Sequence, residues 1–286
     1  MKQYLPHGCV LAAGILWGLI GLFNRALAAA GLNVQNNVMQ RNFGSKLLLG
    51  LLFLLFDRSV FRIKLKHIPI FLGTGIVSVL LFTLCYFSCQ QMCSLAVAAV
   101  LLYTSPAFVV ILSAILWREK ITKRKLAALI VAFLGCTFVT GVWSGNLTVT
   151  FYGALLGIGS GLFYGLYTIF GHYALEHYQP FTVTFYTFLT AGVGACFVTS
   201  PVQTLSLVSA PGTALIALGL IIVSTVAPYL LYTRGLAGLE GGKAAILASI
   251  EPVTAAVVGV AAFGEPMSIM VLLGLGCILT SFYILR

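Results

Sequence analysis

Charged residues are scarce in this sequence, and acidic ones most of all. Asp, Glu, Lys and Arg make up 8% of its 286 residues, with 6 acidic side chains against 16 basic ones, while 60% of the residues are hydrophobic. In soluble domains about a quarter of the residues are charged. A chain with so little polar surface cannot cover a water-soluble fold, so we expect it to lie in a lipid bilayer.

Motifs that would indicate an enzyme are also absent. The sequence has no glycine-rich loop followed by Lys and Ser or Thr, which would bind ATP, and no Gly-x-Ser-x-Gly nucleophile turn. No spacing of His, Cys, Asp and Glu is typical of a zinc or di-iron site. The seven cysteines lie mostly inside apolar runs, which argues against a disulfide framework. We therefore expect no cofactor, no metal and no hydrolysis of ATP by the chain itself.

The apolar residues fall into ten runs. A helix of about 20 apolar residues crosses the hydrocarbon core of a bilayer, and a helix satisfies its own backbone hydrogen bonds there. The sequence thus predicts an all-α integral membrane protein with ten transmembrane helices. The predicted spans are residues 7–29, 35–56, 67–89, 94–116, 124–142, 151–172, 180–200, 211–233, 243–263 and 267–285.

Basic residues concentrate in alternate loops. Positively charged loops stay in the cytoplasm, so both termini are predicted to be cytoplasmic, in a plasma membrane such as a bacterial inner membrane. These loops also explain the net charge of +10 without a nucleic-acid partner. The basic residues on the predicted cytoplasmic side are Lys2, Arg58, Arg62, Lys64, Lys66, Arg118, Lys120, Lys123, Arg124, Lys125, Arg234, Lys243 and Arg286.

The second half of the chain repeats the first. The spacing predicts two units, residues 1–142 with spans one to five and residues 143–286 with spans six to ten. Because five is odd, the second unit must enter the membrane from the opposite side, and the repeats are inverted. The matched pairs are Tyr86 and Tyr232, Pro106 and Pro252, and Glu119 and Glu265, each 146 residues apart, with Gly14 and Gly161, and Gly18 and Gly165, 147 apart.

Inverted repeats around a site at the bilayer midplane are the architecture of alternating-access transporters. The same motifs resemble the EamA-type transporters of the drug/metabolite transporter superfamily over nearly the whole length. The resemblance implies a central cavity lined by spans one to four and six to nine, and export of amino acids, metabolites or drugs, although some members import. It rests on Trp17-Gly18, Arg41, the pair Pro106 and Glu119, and the pair Pro252 and Glu265.

Glu251 is the sharpest candidate for coupling to protons. It lies near the middle of span nine, where a charged side chain costs about 2.5–3.5 kcal/mol on insertion scales. The low dielectric favours the neutral acid, so this carboxyl could exchange protons during transport. The alternative is structural, because Pro252 removes one backbone donor and frees a carbonyl that Glu251 could help to satisfy.

An arginine lies in each of the first two spans. Arg41 could bind a substrate carboxylate bidentately or extend to the membrane surface, and the neighbouring Asn42 shares its assignment. Arg25, near the outer end of span one, is interpreted as an anchor whose side chain reaches the membrane surface.

Polar tips on otherwise apolar spans predict a polar and aromatic cavity. Aromatic rings there could stack on a flat substrate or hold a cation, although tyrosine is also common at membrane interfaces. The candidate lining residues are Trp17, Tyr86, Gln90, Tyr103, Ser105, Tyr164, Tyr167, Tyr186 and Tyr232.

Glu119 and Glu265 stand just before Thr122 and Ser268, which are predicted N-caps of the following helices. An acidic residue near a helix N-terminus offsets the helix dipole. We expect the two glutamates to brace helix ends, with gating salt bridges as the alternative.

The sequence as a whole predicts a secondary transporter, a proton-coupled exporter of a small metabolite such as an amino acid. In this hypothesis Arg41 holds a carboxylate and Glu251 an amine. A transporter of organic cations, quaternary ammonium compounds or drugs is the alternative, since the aromatic set and Glu251 suffice for a cation. A receptor or an intramembrane enzyme is a distant possibility. The predicted partners are the bilayer, the substrate and protons, and the sequence does not distinguish a monomer from a homodimer.

Overall fold

The computed structural model describes residues 5–145 and 147–285, and within these ranges the chain is helical and contains no strand. Lys2 and Arg286, which contribute to the predicted orientation of the chain, lie outside the described residues. Each of the ten predicted spans corresponds to a helix or to a stack of consecutive helices. The prediction of an all-α fold of ten helices in two inverted halves is therefore confirmed.

The first half contains spans one to five. Span one consists of Leu5–Gly18 and Ile20–Ala29, span two of Val34–Phe56, and span five of Lys123–Val139. Span three begins with a 3-10 turn, Leu65–His67, and continues through Ile68–Leu72, the π-helix Gly73–Leu80 and Leu81–Met92. Span four consists of Leu95–Leu102 and Ser105–Trp117.

The second half contains spans six to ten. Span six is the uninterrupted helix Phe151–Leu175, span seven Pro180–Ala195 and span ten Ile269–Leu285. Span eight consists of Pro211–Ile221, the π-helix Ile222–Val226 and Ala227–Leu236, and span nine of Gly241–Ala248 and Glu251–Phe263. A short helix, Pro201–Val208, connects spans seven and eight.

Six spans are long and apolar enough to cross a membrane by length and composition alone. They are spans one, three, four, six, eight and nine. Span two has sufficient length but carries Arg41 and Lys46, and spans five, seven and ten have only 17, 16 and 17 residues. The six apolar helices make the chain a multi-pass membrane protein.

Spans four and nine break at equivalent positions because of their prolines. Pro106 and Pro252 each occupy the second position of the helical segment that follows the break, where a missing N–H is tolerated. The segments on both sides of the two breaks begin and end 146 residues apart. Both spans also terminate in a left-handed residue, Arg118 at a φ of 54° and Gly264 at 64°. The repeat is thus present in the backbone as well as in the sequence.

The packing of the spans follows the same internal symmetry. Span one packs against spans eight and nine, and span six packs against spans three and four in the equivalent way. Spans two and seven, four and nine, and five and ten pack as pairs. In the last pair, a Cβ added to Gly135 or to Gly274 would meet the other glycine's carbonyl oxygen, so these backbones lie in close contact.

Glycines of spans one and six let these helices approach the broken spans. A Cβ on Gly18 would lie 2.7 Å from the Glu251 carbonyl oxygen, and one on Gly165 would lie 3.2 Å from the Ser105 carbonyl oxygen. Glu251 and Ser105 are the first residues after the two helix breaks. Spans one and six therefore make equivalent close backbone contacts with the two broken spans.

The two ends of the molecule differ in the charged residues that they carry. The basic end carries the loops of residues 57–66, 118–122 and 237–240. The Arg25 end carries Arg25 near the end of span one and Glu265 after span nine.

Candidate functional site

A cleft of about 360 Å³ lies between the two halves and extends from Glu251 toward the Arg25 end. Spans one, three, four, five and nine and the start of span ten supply its walls. Its polar and aromatic lining residues are Trp17, Arg25, Tyr86, Tyr103, Thr140, Glu251, Phe263 and Glu265. A cleft of this size suits a small organic molecule.

Glu251 lies at the inner end of the cleft because span nine breaks there. The helix stops at Ala248 and restarts at Glu251, which places the carboxyl in the first turn of a new helix, where the dipole favours negative charge. Tyr164 of span six donates a hydrogen bond from its hydroxyl to Glu251 Oε2 at 3.2 Å. The carboxyl is thus held by another span of its own half while it still lines the cleft between the halves.

Trp17 is the centre of the aromatic cluster. Its side chain is buried, and its ring lies 5.2 Å from the ring of Tyr229, 5.3 Å from that of Tyr232 and 6.2 Å from that of Tyr164. Tyr86 and Tyr103 are half-buried on the cleft wall. The structure therefore places three of the predicted aromatic residues, Trp17, Tyr86 and Tyr103, on the wall of the cleft, and Tyr164 beside Glu251 at its inner end.

Hydrogen-bonded hydroxyl groups fill the space between the inner end of the cleft and the basic end. Tyr167 is paired with Thr233 at 2.7 Å and Tyr232 with Thr168 at 2.7 Å, and all four side chains are buried. Between them and Trp17 lies a cavity of only about 20 Å³, which Ser105 also lines. Ser105, Tyr167 and Tyr232 therefore form the floor of the site toward the basic end.

Arg41 and Asn42 lie outside the cleft. They line a separate cavity of about 10 Å³ together with Asn24, Asn37 and Thr83. Asn42 donates its amide to the Val38 carbonyl at 2.9 Å, as a side chain bonded within its own helix does. Arg41 therefore does not share the cleft that Glu251 lines.

Two other predicted site residues are also not brought to the cleft. Gln90 is half-buried on span three, outside the lining of the cleft. Tyr186 lies near the basic end, where its hydroxyl donates a hydrogen bond to the Phe61 carbonyl at 2.9 Å. Its position in span seven explains this, because the first turns of that span face the loop after span two rather than the midplane.

Glu119 is part of a buried ionic cluster at the basic end. Its Oε2 accepts from Lys125 Nζ at 3.1 Å, and Lys125 also pairs with Glu240 at 2.9 Å. The lysine and Glu119 side chains are 4% and 9% exposed. Burial tends to raise the pKa of Glu240, but hydrogen bonding and charge from Lys125, with a contribution from Lys243, lower it on balance. The cluster joins spans four and five to the loop before span nine.

Glu265 has different surroundings at the Arg25 end. It pairs with Arg25 at 2.5 Å, and both side chains are about half exposed. The Arg25 guanidinium also lies 4.1 Å from the centre of the Phe263 ring. Arg25 thus has a partner, 240 residues away in the sequence, at the mouth of the cleft. Its interpretation as a surface anchor stays a prediction.

The predicted N-caps are present beside both glutamates. Thr122 accepts a hydrogen bond from the Lys125 amide at 3.1 Å, and Ser268 accepts one from the Val271 amide at 3.2 Å. Glu119 itself accepts from the Gly241 amide at 2.9 Å, so it braces the start of span nine rather than the start of span five.

Tyr229 is a site residue that sequence reasoning missed. Its buried ring contacts Trp17, Tyr167 and Phe188. Its position three residues before Tyr232, on the same face of span eight, was the available signal. Among the residues that the structure describes, no three His, Cys, Asp or Glu side chains are placed to hold a metal ion.

Known proteins resemble this chain in sequence and in fold. The EamA-like transporter family matches residues 6–141 and 151–286. An uncharacterized transporter of Archaeoglobus fulgidus is 31% identical over 66% of this chain and 66% of its own length, and a second from the same organism is 29% identical over 78% and 79%. A solved structure described only as a crystal structure of protein superposes with a TM-score of 0.82 at 17% identity, over 98% of this chain and 96% of its own.

Proposed function

Because the chain belongs to the EamA-like transporter family, and is thus a membrane transporter and not an enzyme, we propose that it carries a small organic amine or cation through the cleft above Glu251. The observation that carries the proposal is the position of Glu251 at the inner end of a cleft walled by Trp17, Tyr86 and Tyr103. A carboxylate below aromatic rings is the arrangement that binds a substituted ammonium group, since both the charge and the ring faces attract it.

An amino acid remains the second candidate. Its amine would bind Glu251 in the same way, but its carboxylate needs a cation, and Arg41 lies outside the cleft lining. Arg25 does line the cleft, at its mouth, where it already pairs with Glu265. The arrangement therefore favours a substrate with a positive charge and an apolar body over a zwitterion.

Proton coupling follows from competition at one carboxyl. A proton and an ammonium group both neutralise Glu251, and each excludes the other. If the halves alternate, a proton that enters from outside displaces the cation outward, and the same carboxyl serves both steps. With the basic end in the cytoplasm of a cell, as positive loops favour, the cleft opens outward and the exchange exports substrate.

The proposal is tested by thermal shift of the purified protein in detergent. The probes are primary amines, quaternary ammonium compounds, amino acids and simple carboxylates, each at two pH values. A ligand of the folded state raises the melting temperature by mass action. We expect a quaternary ammonium compound to raise it, and the rise to shrink at the lower pH because protons compete for Glu251.

Three variants separate the possibilities. Glu251→Gln should abolish the shift, whereas Asp57→Asn at the basic end and Arg41→Ala should both preserve it, since neither residue lines the cleft. A shift that survives in Glu251→Gln contradicts the assigned site. If simple carboxylates raise the melting temperature and Arg41→Ala abolishes that rise, the substrate is an anion and the proposal is contradicted.

A further inference from the structure

Glu119 closes the basic end by binding the start of span nine. Its Oε1 accepts the Gly241 amide at 2.9 Å, while its other oxygen accepts from Lys125. Gly241 is the first residue of the helix Gly241–Ala248 and is buried. The first amides of a helix lack partners within the helix and carry partial positive charge. A carboxylate from span four thus fastens the N-terminus of span nine.

The Arg25 end has the same parts but lacks the corresponding contact. At the repeat spacing of 146 residues, Glu265 is equivalent to Glu119, and Leu95, the first residue of span four, is equivalent to Gly241. Glu265 is bound to Arg25 instead, and Leu95 is 67% exposed. The hydroxyl of Ser94, just before Leu95, is buried and hydrogen-bonds to no described residue.

A neighbouring pair of contacts confirms that the two ends are built from equivalent parts. The Arg25 guanidinium lies over the Phe263 ring, and the His172 ring lies 4.7 Å from the Trp117 ring. Phe263 and Trp117 are 146 residues apart, and His172 and Arg25 are 147 apart, the spacing of spans one and six. The two ends therefore differ in the partner of the glutamate, which is the Gly241 amide for Glu119 and the Arg25 side chain for Glu265.

We propose that Glu119 and Glu265 are reciprocal latches, each binding the first amide of the opposite half's broken helix when its own end is closed. In the state that is open at the basic end, Glu265 leaves Arg25 and accepts the Leu95 amide, and Glu119 releases Gly241. The inference rests on the proposed function, since it requires the halves to exchange conformations.

Arg25 sets the balance between the two states. Lys125 neutralises Glu119 at the basic end, but its equivalent at the other end is Val271, which is apolar. Arg25 is thus the cation that pairs with Glu265 while the cleft is open. Removing Arg25 leaves Glu265 free to bind the Leu95 amide and so favours closure of the Arg25 end.

Two equivalent cysteines report the state of each end. Ala255→Cys places a thiol on the cleft wall at an exposed position, and Val109→Cys places one 146 residues earlier, buried beside the small cavity under Trp17. Each is introduced into a background whose seven native cysteines are alanine. The measured quantity is the ratio of maleimide labelling rates, Cys at 255 over Cys at 109, for folded protein in detergent.

If the two glutamates act as latches, their variants should change the labelling ratio differently. Glu119→Ala should lower the ratio at least about tenfold, since a hydrogen bond to a charged group is lost from one state only. Arg25→Ala should lower it as well. Glu265→Ala should not lower it, and adding Glu265→Ala to Glu119→Ala should restore it to within about threefold of the parent. Asp57→Asn is the control and should change it less than about twofold.

The proposal is overturned if Glu265→Ala alone lowers the ratio, or if the double variant does not restore it. Glu119→Gln is the second variant, for use if Glu119→Ala melts early. It keeps the shape and the acceptor oxygen of Glu119, so its labelling ratio should fall between those of the parent and of Glu119→Ala. Ligand response is scored separately by thermal shift. If the protein still responds to ligand but both glutamate variants lower the labelling ratio, the latch proposal alone is contradicted. If the labelling ratios are as predicted but no ligand changes the melting temperature, the substrate assignment alone is contradicted.

Discussion

At the basic end, Glu119 is 9% exposed and shares Lys125 with Glu240, whereas at the Arg25 end the equivalent Glu265 is 47% exposed and pairs with Arg25. The difference teaches that sequence equivalence in an inverted repeat does not make two positions alike in energy. One glutamate forms part of a dry, closed interface, and the other lies beside water in the mouth of the cleft. Variants that remove the same chemical group from both ends measure this difference directly.

The largest difference is expected from removing the cation at each end. Lys125→Met leaves a buried carboxylate without its partner, which typically costs about 3–5 kcal/mol. Arg25→Met removes a pair that is about half exposed, worth at most about 1 kcal/mol. Unfolding of both variants by denaturant in detergent gives the two values. Equal losses of stability would mean that the closed and open ends are not energetically distinct.

A smaller difference in stability is expected between alanine variants of the equivalent glycines in spans one and six. A Cβ at Gly18 would clash with Thr254 and with the Glu251 carbonyl, while a Cβ at Gly165 would find its nearest atoms at 3.1 and 3.2 Å. Gly18→Ala should therefore destabilise the protein by about 1–3 kcal/mol, the usual cost of overpacking. Gly165→Ala should cost less than about 1 kcal/mol. Melting temperatures rank the two, and the reverse order would contradict the tighter packing of span one.

The smallest effect is a pH dependence at the basic end. The pKa of Glu240 is lower in the folded protein than its ordinary value because Lys125 and Lys243 outweigh the effect of burial. Ionised Glu240 therefore stabilises the fold fully above the ordinary glutamate pKa, and this contribution is lost as the pH falls through the lowered value. Glu240 is about half exposed, so less than about 1 kcal/mol is at stake. In Glu240→Gln the melting temperature should therefore fall less steeply at acid pH than in the parent, and melting curves recorded over a range of pH values measure the difference.

The sequence predicted the fold well because its signals are local or periodic. Ten apolar runs correspond to ten spans, and the matches of Pro106 with Pro252 anticipated two helix breaks in the same register. The resemblance to EamA-type transporters is confirmed by the family match to both halves. The division at residues 142 and 143 stays a prediction, as do the cytoplasmic position of the termini, the proton coupling and the substrate.

The site was predicted less well because its contacts join distant parts of the chain. Trp17, Tyr164 and Glu251 stand out as polar groups in apolar spans, and the structure places them together. Arg41 and Arg25 stand out equally, yet only Arg25 lines the cleft, since its position depends on Glu265 at the far end of the chain. Helix rotation, which decides which wall a side chain faces, depends on packing between spans and is not encoded by apolar run length.

The interface between spans five and ten has a special status in any exchange of conformations between the halves. The internal symmetry swaps these two spans with each other, so the interface between them as a whole maps onto itself. The contacts of span one with span eight have no such property, since they map onto those of span six with span three. An exchange of conformations between the halves would therefore keep spans five and ten paired as its axis, while the other interfaces trade places.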